Sequence, residues 1–385
     1  MSDVLAIAKQ FRFPGDAATV KPYGSGLIND TFVVSFDLMS AMDQLQTNPV
    51  ITQHPRLGKR AILQRINRTV FPDPVKVMQN LDKVLTCAQQ QMGNDGEYNG
   101  FLLPPLYYTR DGDSYYQDSN HDVWRALGFI ENTSSFDQLQ DMQQAHETGI
   151  ALGVFHRMLG DLVTEQLHDT LPGFHMTPGY LRHYDQVIAQ VQKPSANYED
   201  WQFCHDIIQS NRGLAGILVN KQPPLTSRIM HGDPKLNNIL FDTQSGKAVS
   251  IIDLDTVKPG LIQFDIADCL RSCCNRSGEL PEYINDVTFD SEVCRYILEG
   301  YLSRAGDMLE ARDMDCLFDA IQLLPFELGL RFFTDFLQGN RYFKVKAAND
   351  NLYRAKTQFM LLLSIQNQQK QLEKMILQIR TNTGC

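Results

Sequence analysis

The pattern His-x-Asp-x-x-x-x-Asn, formed by His231, Asp233 and Asn238, constrains this chain of 385 residues more than any other feature. Farther along, Asp253 follows a second apolar run. Transfer of a phosphoryl group needs an oriented hydroxyl and divalent cations that neutralise the phosphate oxygens, so few protein side chains take part. In this pattern Asp233 can accept a hydroxyl proton, and Asn238 and Asp253 can hold a metal. The sequence therefore predicts that these three side chains gather at one site.

Two short strands are predicted between the motifs, over 239–242 and 248–252, with a turn at Ser245 and Gly246. Asp253 then stands at the end of the second strand, like the Asp that begins the metal-binding Asp-Phe-Gly of protein kinases. A lone acidic residue often only caps a turn or faces water. Two ordered motifs with a hairpin between them are more specific, and we interpret them as the signature of a kinase.

Composition restricts the class of protein further. With 43% hydrophobic and 21% charged residues, the chain is typical of a globular protein, and its length predicts two domains. The formal net charge of −10 argues against a nucleic-acid partner. No apolar run is long enough for a membrane span, and the first ten residues lack the pattern of a signal peptide. The eight cysteines include no Cys-x-x-Cys pair, so we expect free thiols and a cytoplasmic location.

Strand patterns concentrate in the first third of the chain, and helical patterns dominate the rest. We therefore predict an α+β, bilobal fold, with a small β-rich N-terminal nucleotide-binding lobe over 1–131 and a larger, mostly helical catalytic and substrate-binding lobe over 132–385. Within these lobes the expected elements are a polar connection at 40–56, strands at 60–66 and 123–130, and helices at 75–92, 145–162, 316–338 and 352–379.

The nucleotide site is expected in the N-terminal lobe. The turn Gly24-Ser25-Gly26 lets the backbone approach a phosphate closely, and the backbone from Phe129 to Glu131 can pair with an adenine edge. Where protein kinases place a phosphate-clamping Lys, this chain has Gln64. An amide has no charge, so magnesium or another cation must neutralise more of the triphosphate; the nearby candidates are Lys59, Arg60, Arg65 and Arg68.

With the glycine turn, the His-x-Asp pattern and Asp253 in this order, the chain resembles the aminoglycoside phosphotransferase and choline kinase superfamily. The resemblance covers nearly the whole chain and implies a protein-kinase-like fold. Four longer segments resemble one branch, the N-acetylhexosamine 1-kinases: 22–31, 62–67, 235–240 and 251–256.

The resemblance implies a reaction that depends on ATP and Mg²⁺, in which the anomeric hydroxyl of a free sugar is phosphorylated. It implies that Asp233 is the base and that Asn238 and Asp253 bind magnesium. The sugar would be contacted by Asp233, Asp253, Thr256, Arg331 and Tyr342. Without the resemblance, Arg331 would more simply form a surface salt bridge, and Tyr342 would be a half-buried aromatic residue.

Two other functions stay open. A related kinase could act on an aminoglycoside, choline, homoserine or a different sugar, and a pseudokinase could bind nucleotide without turnover, because Gln64 replaces the Lys. The sequence predicts neither the preferred sugar, nor ATP over GTP, nor the oligomeric state.

Several polar residues near the motifs are expected to be structural. His156 should be a hydrogen-bonded core residue and His231 an anchor of its loop. Asp265 and Asp268 should hold the loop or cap the next helix. Asp255 is ambiguous, since it lies close to Asp253 and could face the same side.

Overall fold

The computed structural model describes residues 2–24, 28–37, 54–94, 100–191 and 197–383. The predicted connection at 40–56 lies largely outside these ranges. The chain divides into two compact units, each built from three segments. Unit 1 contains Met1–Ser134, Asp161–Leu171 and Leu240–Lys258. Unit 2 contains Ser135–Gly160, Pro172–Ile239 and Pro259–Cys385.

Unit 1 contains an antiparallel sheet with the strand order β1-β2-β3-β6-β4, to which β5 adds beside β6. Its strands are β1 (Ala17–Pro22), β2 (Asp30–Phe36), β3 (Leu57–Arg65), β4 (Leu106–Tyr107), β5 (Tyr116–Gln117) and β6 (Val123–Ile130). The register places Thr31 opposite Gln64, and Gln64 opposite Arg125. These three residues therefore form a row across three neighbouring strands, on one face of the sheet.

The opposite face of the sheet carries the hydrophobic core of unit 1. Val34, Leu63 and Ala126 point into this core, which also includes residues of helix α1 (Ser2–Ala8). Since side chains alternate along a strand, burying this set directs Gln64 and Arg125 to the other face.

Unit 1 also contains helix α2 (Pro74–Asn94), which confirms the prediction over 75–92. A smaller sheet is formed by β7 (Thr133–Ser134), β9 (Ile239–Asp242) and β10 (Ala248–Ile251), in the order β10-β9-β7. The predicted hairpin between the two motifs is thus confirmed. Gly246 has a φ of 69° in its turn, a conformation that favours glycine.

Unit 2 is mostly helical. Its helices are α3 (Met142–Met158), α4 (Thr177–Ile188), α5 (Tyr198–Ser210), α6 (Ile262–Cys274), α7 (Ser291–Ala305), α8 (Ala311–Asp315), α9 (Leu317–Leu337), α10 (Asp350–Asn367) and α11 (Gln369–Thr383). Two short strands are β8 (Arg228–Met230) and β11 (Lys258–Gly260), of which β11 begins in unit 1. With the sheets of unit 1, these helices confirm the α+β class. Among the residues described, no helix is both long and apolar enough to cross a membrane.

Helix α3 confirms the predicted helix over 145–162, but it begins three residues earlier and ends four residues earlier than predicted. The carboxylate of Asp141 accepts a hydrogen bond from the Gln144 N–H and so caps the first turn. The helix packs very closely on α7, because a Cβ at Gly149 would lie 1.9 Å from the carbonyl oxygen of Ile297. Glycine is therefore required at this crossing.

The prediction of one helix over 352–379 is wrong, because the chain breaks between α10 and α11 at Gln368. The backbone of Gln368 has φ −99° and ψ 8°, outside the helical range. Its side-chain amide donates to the carbonyl oxygen of Phe289, 2.9 Å away. The same amide nitrogen also lies 3.2 Å from the carbonyl oxygen and from the hydroxyl of Ser364, so several hydrogen bonds hold Gln368 at the break.

Candidate active site

The loop that contains Asp233 is fixed by a buried carboxylate on α6. Asp265, which has no exposed surface, accepts hydrogen bonds from the backbone N–H groups of His231 (2.5 Å) and Gly232 (2.8 Å). Gly232 has a φ of 87°, a value that suits glycine. The prediction that Asp265 holds the loop is thus confirmed. Burial alone would raise the pKa of Asp265, but the hydrogen bond from His156 keeps this pKa below its usual value.

Two histidines complete the support of the loop. His156 Nε2 lies 2.9 Å from Asp265, and its Nδ1 lies 2.9 Å from the hydroxyl of Tyr301. Because an ionised carboxylate only accepts, the proton of this contact lies on Nε2. His231 is fully buried, and its Nδ1 accepts from the N–H of Asp233 at 3.2 Å. Both histidines are therefore hydrogen-bonded structural residues, as predicted.

Asp233 is the candidate base, and it pairs with a lysine of its own loop. The ammonium of Lys235 lies 2.6 Å from Asp233 Oδ2. The Asp233 side chain is partly buried, which raises its pKa, while Lys235 acts in the opposite direction and the nearby Asp268 adds to the rise. Asp268 itself accepts a hydrogen bond from Arg271. This lysine next to the base had not been singled out from the sequence.

Asn238 ends the loop in the 3-10 turn Leu236–Asn238 and is oriented by Asp233. Its side-chain Nδ2 donates to the backbone carbonyl of Asp233 at 2.8 Å. The amide oxygen, in contrast, accepts no hydrogen bond from any residue in the described ranges. An amide oxygen oriented in this way is one of the oxygen ligands that suit a hard cation such as Mg²⁺.

Asp253 belongs to unit 1, whereas Asp233 and Asn238 belong to unit 2. It is exposed and has a left-handed backbone, with a φ of 68°, just before the 3-10 turn Leu254–Thr256. Such a conformation is uncommon for a residue other than glycine and typical of functional turns. Within the described part of the chain, no three His, Cys, Asp or Glu side chains form a cluster that could hold a metal. A metal held by Asn238 and Asp253 therefore stays a prediction.

Two residues beyond Asp253, Asp255 is buried and central to a polar network in unit 1. It forms an ion pair with Arg125, and its Oδ2 accepts from the side chain of Asn29 at 2.6 Å. Arg125 also donates to Oε1 of Gln64 through Nε (3.0 Å) and Nη2 (2.7 Å). Asp255 is thus a partner of other protein groups, which resolves its ambiguity in the sequence.

The cation beside Gln64 is Arg125, which was not among the candidates named from the sequence. It is 1% exposed and lies directly across from Gln64 on the neighbouring strand. The candidates named from the sequence have other partners. Arg60 pairs with Glu131, and Arg65 pairs with Asp30 and Asp122.

Neither of the two remaining candidates from the sequence, Arg68 and Lys59, is a buried cation beside Gln64. Arg68 approaches Asp122 at 3.3 Å, and Lys59 is exposed on the strand. A single arginine within an apolar strand was the available signal, since arginine is rarely buried without a partner.

The predicted adenine-binding residues are found together in unit 1. The ring of Tyr23 contacts that of Phe129 edge-on, with 5.6 Å between centroids. The guanidinium of Arg60 lies 3.9 Å over the same ring and also binds Glu131. The backbone N–H of Glu131 is used within the protein, because it donates to the carbonyl of Arg56. Gly24 has a φ of 74°, whereas Ser25 and Gly26 lie outside the described residues.

Arg331 lies among aromatic rings in unit 2. Its guanidinium carbon is 5.0 Å from the ring centroid of Tyr180 and 5.4 to 5.7 Å from three others, those of Phe174, Tyr342 and Phe343. Over the ranges that are described, Arg331 forms no salt bridge and no hydrogen bond, so the simpler interpretation as a surface salt bridge is wrong. Tyr342 is 60% exposed, more than the half-buried residue expected. This set of five residues is called the aromatic arginine site below.

A buried carboxylate supports the aromatic arginine site from within. Glu327 accepts from the hydroxyl of Thr177 at 2.5 Å and pairs with Nδ1 of His175 at 2.9 Å. Burial alone would raise the pKa of Glu327, but His175 and Arg331 bring it below its usual value. The ring of His175 stacks on Phe264, the residue before Asp265. The support of Arg331 is thus adjacent, through α6, to the support of the Asp233 loop.

Comparison with solved structures shows the fold class. A choline kinase from Cryptosporidium parvum is 15% identical, and the match covers 100% of this chain and 99% of that one with a TM-score of 0.58. A microcompartment-associated aminopropanol kinase is 13% identical over 97% and 98% of the two chains, with a TM-score of 0.60. A spectinomycin phosphotransferase, solved with ADP and spectinomycin, is 11% identical over 96% and 98%, with a TM-score of 0.57. Identities this low show a shared fold, and this fold is the protein-kinase-like one that was predicted.

The sequence itself identifies the family. The profile of the phosphotransferase enzyme family, APH, matches residues 100–297, which is more than half of the chain. The chain therefore belongs to the phosphotransferase enzyme family, and the predicted superfamily is confirmed. The narrower resemblance to N-acetylhexosamine 1-kinases stays a prediction.

Proposed function

We propose that this small-molecule kinase transfers the γ-phosphoryl group of ATP to the anomeric hydroxyl of a free sugar. The acceptor is an N-acetylhexosamine, and the product is its 1-phosphate. The observation that carries the choice of acceptor is the aromatic arginine site, where the guanidinium of Arg331 lies among four rings and forms no salt bridge within the described residues. Membership of a phosphotransferase family supports the reaction type.

In this proposal Asp233 orients the acceptor hydroxyl and takes its proton. Asn238 and Asp253 hold Mg²⁺, which neutralises charge on the phosphate oxygens when it is bound. Lys235 restrains the carboxylate of Asp233, since it is within hydrogen-bonding distance. The nucleotide is bound by Gly24, Ser25, Gly26, Gln64, Phe129 and Glu131. The sugar is bound by Asp233, Asp253, Thr256, Arg331 and Tyr342.

The charge of Arg331 argues against the main alternatives. Choline and aminoglycosides are cations, and a cationic acceptor prefers acidic or aromatic groups without a competing positive charge. Arg331 already occupies the faces of the rings that such a cation would use. A neutral sugar instead presents hydroxyl and amide oxygens, which can accept hydrogen bonds from the guanidinium. Apolar faces of the sugar can pack on the exposed ring of Tyr342.

A substrate panel tests the proposal. Free N-acetylhexosamines, other sugars, choline, homoserine and an aminoglycoside are each incubated with ATP and Mg²⁺, and ADP release is measured. Phosphorus NMR of the product then shows, from coupling to the anomeric proton, which hydroxyl was modified. We expect turnover with an N-acetylhexosamine and phosphorylation at the anomeric position. Preferred turnover of choline or the aminoglycoside would contradict the choice of acceptor.

Substitution of Asp233 tests the reaction and the pseudokinase alternative together. We expect Asp233→Asn to lower kcat by about 10²–10⁴-fold, the range for a lost general base, with little change in nucleotide affinity. Full activity in this variant would refute the assignment. Magnesium-dependent ATP binding by the wild-type protein, without turnover of any acceptor, would instead support the pseudokinase.

Substitution of Arg331 tests acceptor recognition. We expect Arg331→Met to raise the KM for the sugar about tenfold or more while the KM for ATP is unchanged, because hydrogen bonds from a charged group are each worth about 1.5–3 kcal/mol. Arg295→Met is a matched control, since Arg295 also lies over a ring, that of Tyr296, but on the surface of α7 with Glu299 as a partner. An equal effect of both variants on the sugar KM would count against the proposed site.

A further inference from the structure

The ion pair between Arg125 and Asp255 stands where the sheet of unit 1 meets the turn that carries Asp253. Arg125 is 1% exposed and Asp255 is 3% exposed. Across the described ranges, Arg125 Nη1 and Asp255 Oδ1 make no hydrogen bond to a third group. Removing either charge would therefore leave the other one buried with neutral hydrogen-bond partners only.

The pair belongs to a row of polar residues that crosses three strands. Gln64 donates to the hydroxyl of Thr31 at 3.2 Å and accepts twice from Arg125. In protein kinases, the strand lysine of the nucleotide site is joined in an ion pair to a glutamate of a helix. Here the same region of the sheet has an amide, and the cation lies one strand away, paired with an aspartate of the turn after Asp253.

Each nitrogen of the Arg125 guanidinium faces a protein group. Nε and Nη2 bind Gln64, and Nη1 faces Asp255. With 1% of its surface exposed, Arg125 is not placed to clamp a phosphate directly as a strand lysine does. Its action must therefore pass through Gln64 or through Asp255.

Asp255 is tied to more than the sheet. Asn29 donates to its Oδ2 at 2.6 Å and accepts from the backbone N–H of Asn67 at 3.0 Å. On the far side of the turn, the buried amide of Asn80 donates to the carbonyl of Val257 at 3.2 Å. The segment after Asp253 is thus held at two points. A left-handed aspartate such as Asp253 persists only where its surroundings determine it in this way.

We infer that Arg125 and Asp255 are positioning residues, whose buried ion pair holds the turn of Asp253 against the sheet and thereby sets the affinity of the protein for a magnesium–nucleotide complex. This inference rests on the proposed function, because it takes Asp253 as a ligand of the metal. Unlike the strand lysine of protein kinases, which contacts the phosphates, this strand-to-turn pair would act on the nucleotide only through the position of Asp253.

The test measures binding and needs no acceptor. Calorimetry records the affinity for a non-hydrolysable ATP analogue while Mg²⁺ is varied, with a metal-free titration as the reference. Single substitutions are at risk of unfolding, so the main variant is Arg125→Met with Asp255→Asn, which removes both charges. Replacing a whole buried pair is usually tolerated, and the amide oxygen introduced at position 255 can still accept from Asn29. Circular dichroism and thermal unfolding confirm that the variant is folded.

We expect the double variant to need about tenfold more Mg²⁺ for half-maximal nucleotide binding, with metal-free binding unchanged. Asp253→Asn should show a loss at least as large. The matched control removes another ion pair of unit 1, by Arg56→Met with Asp242→Asn, and should leave the requirement for Mg²⁺ unchanged.

Two outcomes would overturn the inference, and they are distinguishable. If the wild-type protein shows no magnesium-dependent nucleotide binding, the proposed function fails and the inference fails with it. If the wild-type protein binds, and the folded double variant keeps the wild-type requirement for Mg²⁺, the pair is only structural and the inference alone fails.

Discussion

Replacing Asp265 with asparagine should disturb the position of the Asp233 loop while the side chain of Asp233 itself is left unchanged. Asp265 touches neither the acceptor nor the phosphate in our proposal, yet its two oxygens accept from the backbone of His231 and Gly232 and from the ring of His156. Asparagine has the same shape but only one oxygen. If this oxygen keeps the bonds to His231 and His156, an NH₂ group faces the N–H of Gly232, so that two donors meet.

The size of the effect follows from these three bonds. The variant loses one bond to a charged acceptor, worth about 1.5–3 kcal/mol, and leaves the buried N–H of Gly232 unsatisfied. We therefore expect the free energy of unfolding to fall by about 3 kcal/mol. For a unit of this size that corresponds to a decrease in Tm of roughly 6–12 °C. A displacement of the loop by about 1 Å should lower kcat by about 10²-fold.

The assay combines thermal unfolding with steady-state kinetics, at a temperature where the variant is folded. Asp313→Asn is a matched control, because Asp313 is also a buried carboxylate of unit 2, with bonds from Gln263 and from the backbone N–H of Glu310. We expect the control to lose stability but to keep its kcat. A wild-type kcat in folded Asp265→Asn, or an equal loss of kcat in the control, would refute the reasoning.

Two further predictions concern stability. Gly149→Ala should destabilise the protein by about 1–3 kcal/mol in a denaturant titration, since the added Cβ would strike the carbonyl of Ile297, whereas Gly213→Ala has no atom within 4 Å and should be neutral. The pKa of Glu327 is lower in the folded protein than its usual value. The ionised carboxylate therefore stabilises the fold in full above the unfolded pKa of about 4.3, and this stabilisation is lost as the pH falls through the folded pKa. Unfolding followed between pH 6 and pH 3 should therefore show a shallower acid loss in Glu327→Gln than in the wild type; parallel curves would contradict this.

The parts of the fold that could be predicted from the sequence are those that depend on near neighbours. The strand over 123–130 and the hairpin before Asp253 have the expected bounds to within a residue, because alternation and a glycine turn act over a few positions. The break at Gln368 could not be predicted in this way. At the break, Gln368 bonds to Phe289, which is far away in the sequence, and periodicity along the chain does not indicate such a contact.

The contacts of the candidate residues are likewise either local or remote in the sequence, and only the local ones could be predicted. Asp233 and Asn238 lie five positions apart, so their contact is local and the motif predicts it. The partners that hold the site are remote. Asp265 binds a loop more than thirty residues earlier, and Asp255 pairs with a residue of a strand more than a hundred positions before it.

The supporting residues nevertheless share a signal that the sequence contains. Arg125 lies within an apolar strand, His156 within an apolar helix, and Asp265 within the buried helix α6. A polar or charged side chain in such a run is carried into the core by its neighbours, and there it is costly unless a partner satisfies it. Each of the three therefore implies a buried partner, although periodicity cannot say which one. The partner of Arg125 is Asp255, two residues after Asp253, and His156 and Asp265 bind each other beneath the loop of Asp233. Polar residues within apolar runs therefore identify the supports of these candidate residues better than the exposed charges that were first considered.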